Sequence, residues 1–310
     1  MSPFLTIFTA PKPFTNPHIR TIQRNAIQSW KALGEDVQVI LVGEEAGMAK
    51  TAAELGVLHL PDVRRNDSGT PLVSSIFEVA RAACSSPYLA YINADILVQP
   101  DFLTGTRQAA SCGANFLLVG QRWDLDVRTP LDFRPGWLER LQTDLGARGK
   151  LHSRGGSDYF IFPRTCFTQV PDFAIGRAGW DNWMIYECRR RGWPCVDATE
   201  SIQIVHQNHD YSHLPRGQAH YRLPETYENV RLAGGNRTIF TLIDTDTRLV
   251  HSNFIGAERG WVKFWRDVET FPLIRLRSMA LAQLFYAIFH PVRAYRELRA
   301  ALRGLLEGEE

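Results

Sequence analysis

Tyr88-Leu89-Ala90-Tyr91-Ile92-Asn93-Ala94-Asp95-Ile96-Leu97 is an apolar run broken near its end by two polar side chains. A short run rich in β-branched and aromatic residues, without polar alternation, reads as a strand buried on both faces. Asn93 and Asp95 then stand at its carboxyl end. In an open α/β sheet that edge binds ligands, because the loops leaving the strands form a crevice there. A carboxylate delivered by a rigid strand can hold a divalent cation, and a cation in that place can hold a diphosphate. The plainer reading is that Asp95 caps the next turn.

Upstream, the segments around residues 4–9, 37–42 and 57–60 read as strands. Between them, Asn16 and Pro17 open a helix whose apolar residues Ile19, Ile22, Ala26, Trp30 and Leu33 recur at helical steps, and 49–55 forms a second helix. This βαβαβ opening implies a parallel sheet. Leu72, Ile76, Val79, Ala80 and Ala83 mark the helix leading into the quoted strand, and a helix at 102–112 precedes a strand at 115–120. After the first strand there is no G-x-G-x-x-G, no G-x-x-x-x-G-K-[ST] and no glycine run, which argues against dinucleotide oxidoreductases, P-loop enzymes and nucleotidyltransferases.

From Gln121 the chain reads as polar loops with Arg122, Trp123, Asp124 and Asp126. Gly155 and Gly156 allow close approach of the backbone to a ligand, and Asp158 stands at the start of a buried strand. Trp180-Asp181-Asn182 follows, with Asp181 at a helix N-cap position and the helix closed by Gly192. Capping alone accounts for Asp181, although the surrounding Gly, Trp and Arg are what a sugar site uses. A strand at 201–205 then leads into a cluster holding His206, His209 and His213.

Together these residues resemble the GT-A fold of nucleotide-sugar-dependent glycosyltransferases, over roughly residues 4–215. The resemblance implies an α/β fold, a Rossmann-like and mostly parallel sheet sandwiched by helices, with residues 216–310 as a C-terminal helical extension. Asn93-Ala94-Asp95 stands where that superfamily has D-x-D, an amide replacing the first carboxylate. It implies a metal, Mn²⁺ or Mg²⁺, at Asp95 and His206, and a catalytic base at Asp181 with Asp158 as the next candidate. Gly155, Gly156 and Trp180 would lie against the donor sugar. By topology Pro11, Lys12 and Glu44 would face the nucleotide base and ribose, with Thr70 and Ser74 lining the same crevice. The reaction expected is sugar transfer, inverting, from a nucleotide-sugar donor to a saccharide or lipid-linked glycan acceptor in polysaccharide assembly. A nucleotidyltransferase and an inactive sugar-binding module are the competing readings.

Composition fits this frame: 310 residues, 45% hydrophobic and 22% charged, are those of an ordinary globular protein. A net charge of +2 predicts no nucleic-acid partner. Cys84, Cys112, Cys166, Cys188 and Cys195 form no metal-like spacing and are expected to be reduced. No secretory signal or spanning segment is visible, so a cytoplasmic location is expected. Residues 216–270 read as polar loops with an alternating strand at 238–243 and a Trp261/Phe264/Trp265 cluster, and 272–306 as two helices broken near His290-Pro291. In the second, Val292, Tyr295, Leu298, Leu302 and Leu305 make a stripe beside Arg293, Arg296, Arg299 and Arg303. Packing on the domain, dimer contact and peripheral docking at the inner face of a membrane all suit that pattern.

Overall fold

The computed structural model describes residues 2–209, 223–251 and 253–307. His213 and the 215/216 boundary lie outside the described residues, as do the side chains of Leu302, Arg303 and Leu305. The chain opens with β1 (Leu5–Thr9), α1 (Pro17–Lys31), β2 (Val37–Val42), α2 (Met48–Leu55), β3 (Leu58–Leu60) and α3 (Val73–Ala82). It continues through β4 (Tyr88–Ile92), β5 (Ile96–Leu97), α4 (Pro100–Ala109), β6 (Leu117–Val119), β7 (Arg122–Leu125) and α5 (Trp137–Arg148). Next come β8 (Lys150–Leu151), β9 (Tyr159–Pro163), α6 (Trp180–Arg191), β10 (Cys195–Asp197), β11 (Ile204–Gln207) and α7 (Pro224–Ala233). The described chain ends with β12 (Thr247–Val250), β13 (Asn253–Gly256), α8 (Trp261–Ile274), α9 (Met279–Phe289) and α10 (Pro291–Glu307).

The expected α/β class is what the structure has: a nine-stranded sheet in the order β13-β12-β10-β6-β9-β4-β1-β2-β3, parallel except for β9 and β13. Side chains that alternate along each strand feed two cores. Phe8, Leu89, Tyr91, Leu117, Phe160 and Phe162 pack on one face, and Leu5, Ile7, Ala90, Ile92, Leu118 and Ile161 on the other. Fully burying each such side chain contributes roughly 1.5–3 kcal/mol. This is why the strands read as unbroken apolar runs. Residues on both sides of 215 share a core, since Ala233, Phe240, Leu242 and Leu273 pack in the first cluster.

Four segments depart from the sequence reading. Arg122–Leu125 is a strand rather than a loop, and with β5, β8 and β11 it forms a second, four-stranded sheet. Helix α5 carries Trp137, Leu141 and Leu145 at four-residue spacing, a signal overlooked beside the polar texture. The segment 238–243 is not a strand: 3-10 turns occupy Asn236–Thr238 and Leu242–Asp244, the second closed by a Thr241/Asp244 capping box. Pro272 belongs to α8, near its end, and the last two helices begin at Met279 and Pro291. The described cysteines Cys84, Cys166, Cys188 and Cys195 are free thiols.

Candidate active site

The small sheet builds a polar cluster by its register. After β4 a tight turn, closed by the Ile96 N–H donating to the Asn93 carbonyl at 3.1 Å, drops the chain into β5. β5 pairs antiparallel with β11, setting Ile96 opposite His206, and β7 pairs parallel with β11, setting Asp124 opposite the same histidine. The Gln207 N–H donates to the Asp95 carbonyl at 3.1 Å. As a result one ligand atom from each of Asp95, His206 and His209 lies within 4.8 Å of the others.

One oxygen of Asp95, Oδ2, meets His209 Nε2 at 3.0 Å, while Oδ1 is buried without a hydrogen-bond partner. A buried carboxylate oxygen left unpaired is costly unless something absent from a bare chain satisfies it. Burial alone would raise this carboxyl, but the His209 hydrogen bond, with His206 and Lys12 close by, holds it well below the usual carboxylate range. His206 turns Nδ1 to Asp124 Oδ1 at 3.1 Å, leaving Nε2 as its ligand atom. One carboxylate and two imidazoles form a donor set that fits a transition metal such as Mn²⁺ better than Mg²⁺, which favours oxygen ligands.

Behind the cluster the polar groups are tied together. Arg122 donates to Asp124 at 2.9 Å and to both oxygens of Asp158 at 2.9 and 2.8 Å, and His152 Nδ1 meets the other Asp124 oxygen at 2.8 Å. Burial would raise Asp124, yet His152 and Arg122 pull it below its ordinary value. The Asn93 amide donates to Asp158 Oδ1 at 2.8 Å, so it orients a carboxylate rather than binding a cation. Farther in, Asn25 and Gln207, both buried, join α1 to β11 at 3.0 Å.

A crevice of about 680 Å³ opens over the carboxyl end of β4. Pro11, Lys12, Thr70, Asn93, Asp95, Gly155, Gly156, Asp158, Trp180 and Asp181 line it. Glu44 and Ser74 do not: Glu44 is exposed beside Arg65 at 3.6 Å, and Ser74 bonds Asp172 on the outer surface. The neighbouring Glu45 takes the inner place, 2.9 Å from Arg65. Gly155 and Gly156 lack the left-handed backbone that would demand glycine, and a Cβ at either would meet only Ser153 or His152 at ordinary contact. Trp180 is buried, edge-on to Tyr91 with centroids 4.9 Å apart, so it forms floor rather than an open stacking face.

Asp181 is not the N-cap. Gly179 occupies that position with φ of 110°, and Asp181, in the first turn of α6, accepts the Gly179 N–H at 3.2 Å. Burial pushes its carboxyl from the ordinary 3.8 up to about 6; the Asn182 and Gly179 backbone groups oppose the shift and the Asp158 charge adds to it. Asp158 is instead engaged by Arg122 and Asn93 through three hydrogen bonds. Sequence reasoning left His209, Arg122, Glu45 and Arg65 without roles. The His-x-x-His spacing at 206 and 209 was the available signal for the first.

No protein-family model and no curated protein matches the chain. In structure it is similar to glucosyl-3-phosphoglycerate synthase from Mycobacterium tuberculosis in complex with UDP: TM-score 0.48, 18% identity, over 76% of this chain and 81% of that one. The same enzyme with Mn²⁺, UDP and glucosyl-3-phosphoglycerate gives 0.46 and 15%, over 84% and 88%. The mannosyltransferase PcManGT from Pyrobaculum calidifontis, in complex with GDP-Man and Mn²⁺, gives 0.39 and 13%, over 66% and 57%. At such scores these neighbours assign no residue a role, and the function is argued from the site itself.

Proposed function

We propose that the protein is a glycosyltransferase that moves a sugar, with inversion, from a nucleoside-diphosphate sugar to a saccharide or lipid-linked glycan acceptor in polysaccharide assembly. The observation that carries this reading is the Asp95–His206–His209 cluster, with its unpaired Asp95 oxygen, whose Asp95 also lines the crevice that holds Asp181. A divalent cation held by these three residues would neutralise charge on the departing diphosphate. Lys12, 3.5 Å from His209, adds fixed positive charge at the same end of the crevice. Asp181, ionised above about pH 6, accepts the proton of the acceptor hydroxyl as that oxygen attacks the anomeric carbon. Asp158, paired with Arg122 at 2.8 Å, keeps the floor rigid.

The test is a thermal-shift panel of UDP-, GDP-, dTDP- and CMP-sugars with and without Mn²⁺, paired with assay of released nucleoside diphosphate. A ligand that binds only the folded state at about 100 times its Kd stabilises by ~2.7 kcal/mol. One nucleotide class should raise Tm only with Mn²⁺, and Asp95→Ala should abolish both that shift and turnover. Release of pyrophosphate would instead identify a nucleotidyltransferase, and binding without turnover a sugar-binding module.

A further inference from the structure

Away from the crevice, α8, α9 and α10 turn apolar side chains outward. Trp261 and Val262 are 74% and 73% exposed, and Phe264, Trp265 and Phe271 are exposed as well. Leu281, Leu284 and Ile288 of α9 and Val292, Tyr295 and Leu298 of α10 continue the surface. Trp265 packs on Phe289 with centroids 5.8 Å apart, which ties the first helix to the second. Single exposed apolar residues are ordinary, but a run of this extent marks an interaction surface.

The charges on these helices select the partner. Arg275, Arg277, Arg293, Arg296 and Arg299 are exposed, as is Arg259 just before α8, and none forms an ion pair among the described residues. The acids nearby are already engaged: Asp267 with Lys263 at 2.7 Å, Glu269 with Arg266 and His290, and Glu297 with Arg237. The face is therefore apolar and aromatic with unpaired arginines at its margin. Tryptophan and tyrosine suit the headgroup level of a bilayer, and arginine stems reach from apolar surface to anionic groups. An isologous pair of copies would press this positive margin against its own like.

We infer that the α8–α10 face docks on an anionic lipid bilayer and lies in its interfacial zone without crossing it. Among the described residues no helix is long and apolar enough to span a membrane. A cavity of about 540 Å³, walled by Trp261, Val262, Arg154 and Arg248, lies at the foot of the face. It meets the crevice along the 151–156 segment, whose Leu151 and Arg154 face the cavity while His152, Ser153, Gly155 and Gly156 face the crevice. The inference stands independently of the sugar-transfer reading, because it concerns a surface the crevice does not use.

The experiment is flotation of the full-length protein with phosphatidylglycerol-containing vesicles and with pure phosphatidylcholine vesicles, at low and high salt. Binding is expected to the anionic vesicles and to weaken with salt. Trp261→Glu combined with Val262→Glu should lower the bound fraction at least tenfold, and so should joint replacement of Arg275, Arg277, Arg293 and Arg296 by Gln. Both variants should keep the wild-type melting temperature and the same response to nucleotide and Mn²⁺. Equal flotation of wild type and a folded arginine variant would overturn the inference. So would absence of vesicle binding together with a concentration-dependent dimer that the tryptophan variant dissociates, which would assign the face to a second copy.

Discussion

In the crevice Arg122 gives three hydrogen bonds to two carboxylates, while Arg275, Arg277, Arg293 and Arg296 on the C-terminal helices have no acidic partner among the described residues. Tryptophan divides the same way: Trp180 is buried against Tyr91, and Trp261 is 74% exposed. The difference separates two kinds of functional surface. A site that must hold reacting atoms fixes each polar group with another, so that little reorganises when substrate arrives. A surface that meets a fluid partner has no single geometry to match and leaves its charges unengaged.

The largest effect that tests this contrast is expected at Asp181. Asp181→Asn keeps an oxygen that accepts the Gly179 N–H but removes the proton acceptor, so kcat should fall by about 10²-fold or more. Wild-type kcat should rise with pH through about 6, as the carboxyl ionises, and the variant should lose that limb. The stability sign is opposite. A carboxyl whose folded pKa is raised holds its proton better in the folded state, so wild type loses stability as pH climbs from 3.8 to about 6 and the asparagine variant does not. Denaturant unfolding at pH 4 and pH 7 measures it; an Asn variant no more stable at pH 7, relative to wild type, than at pH 4 would remove the buried-base assignment.

Next comes Asp124, which touches no reacting group and sits between His206 and His152. Asp124→Ala should weaken Mn²⁺ affinity by ~10–100-fold, read by metal titration, because the imidazole loses the partner that orients it. Unchanged affinity would show that register alone positions His206. The smallest effect belongs to the outer face: Leu284→Ser should change unfolding free energy by less than ~0.5 kcal/mol, since a 54%-exposed side chain has little burial to lose. A loss of several kcal/mol would mean that a partner already covers α9.

The main-sheet strands were legible because burial on both faces leaves a continuous apolar run, as in β1, β2 and β4. Asp95 was legible for the same reason, as a charge where such a run stops. β7 was not, since a strand that lends Arg122 and Asp124 to the site must carry polar residues and so reads as loop. His209 escaped because its place depends on where the chain goes after β11. The exchange of Glu44 for Glu45 could not be read at all: the two are adjacent and chemically identical, and Arg65, twenty residues beyond Glu45, meets both.

One strand bears on how the molecule comes together in time. β9 inserts antiparallel between β4 and β6, so its start at Tyr159 meets the end of β4 at Ile92, a partner 67 positions back in the chain. β4 also pairs with β1 across 83 positions, Leu5 to Tyr88, so the β9 pairing is one of two distant closures that β4 needs, and such closures slow folding. Asp158, one residue before β9, completes its bonds to Asn93 and Arg122 only when that closure succeeds. After dilution from denaturant, then, helical signal should return early and the capacity to bind nucleotide with Mn²⁺ should return with the slowest phase, making ligand binding a clock for the last step of assembly.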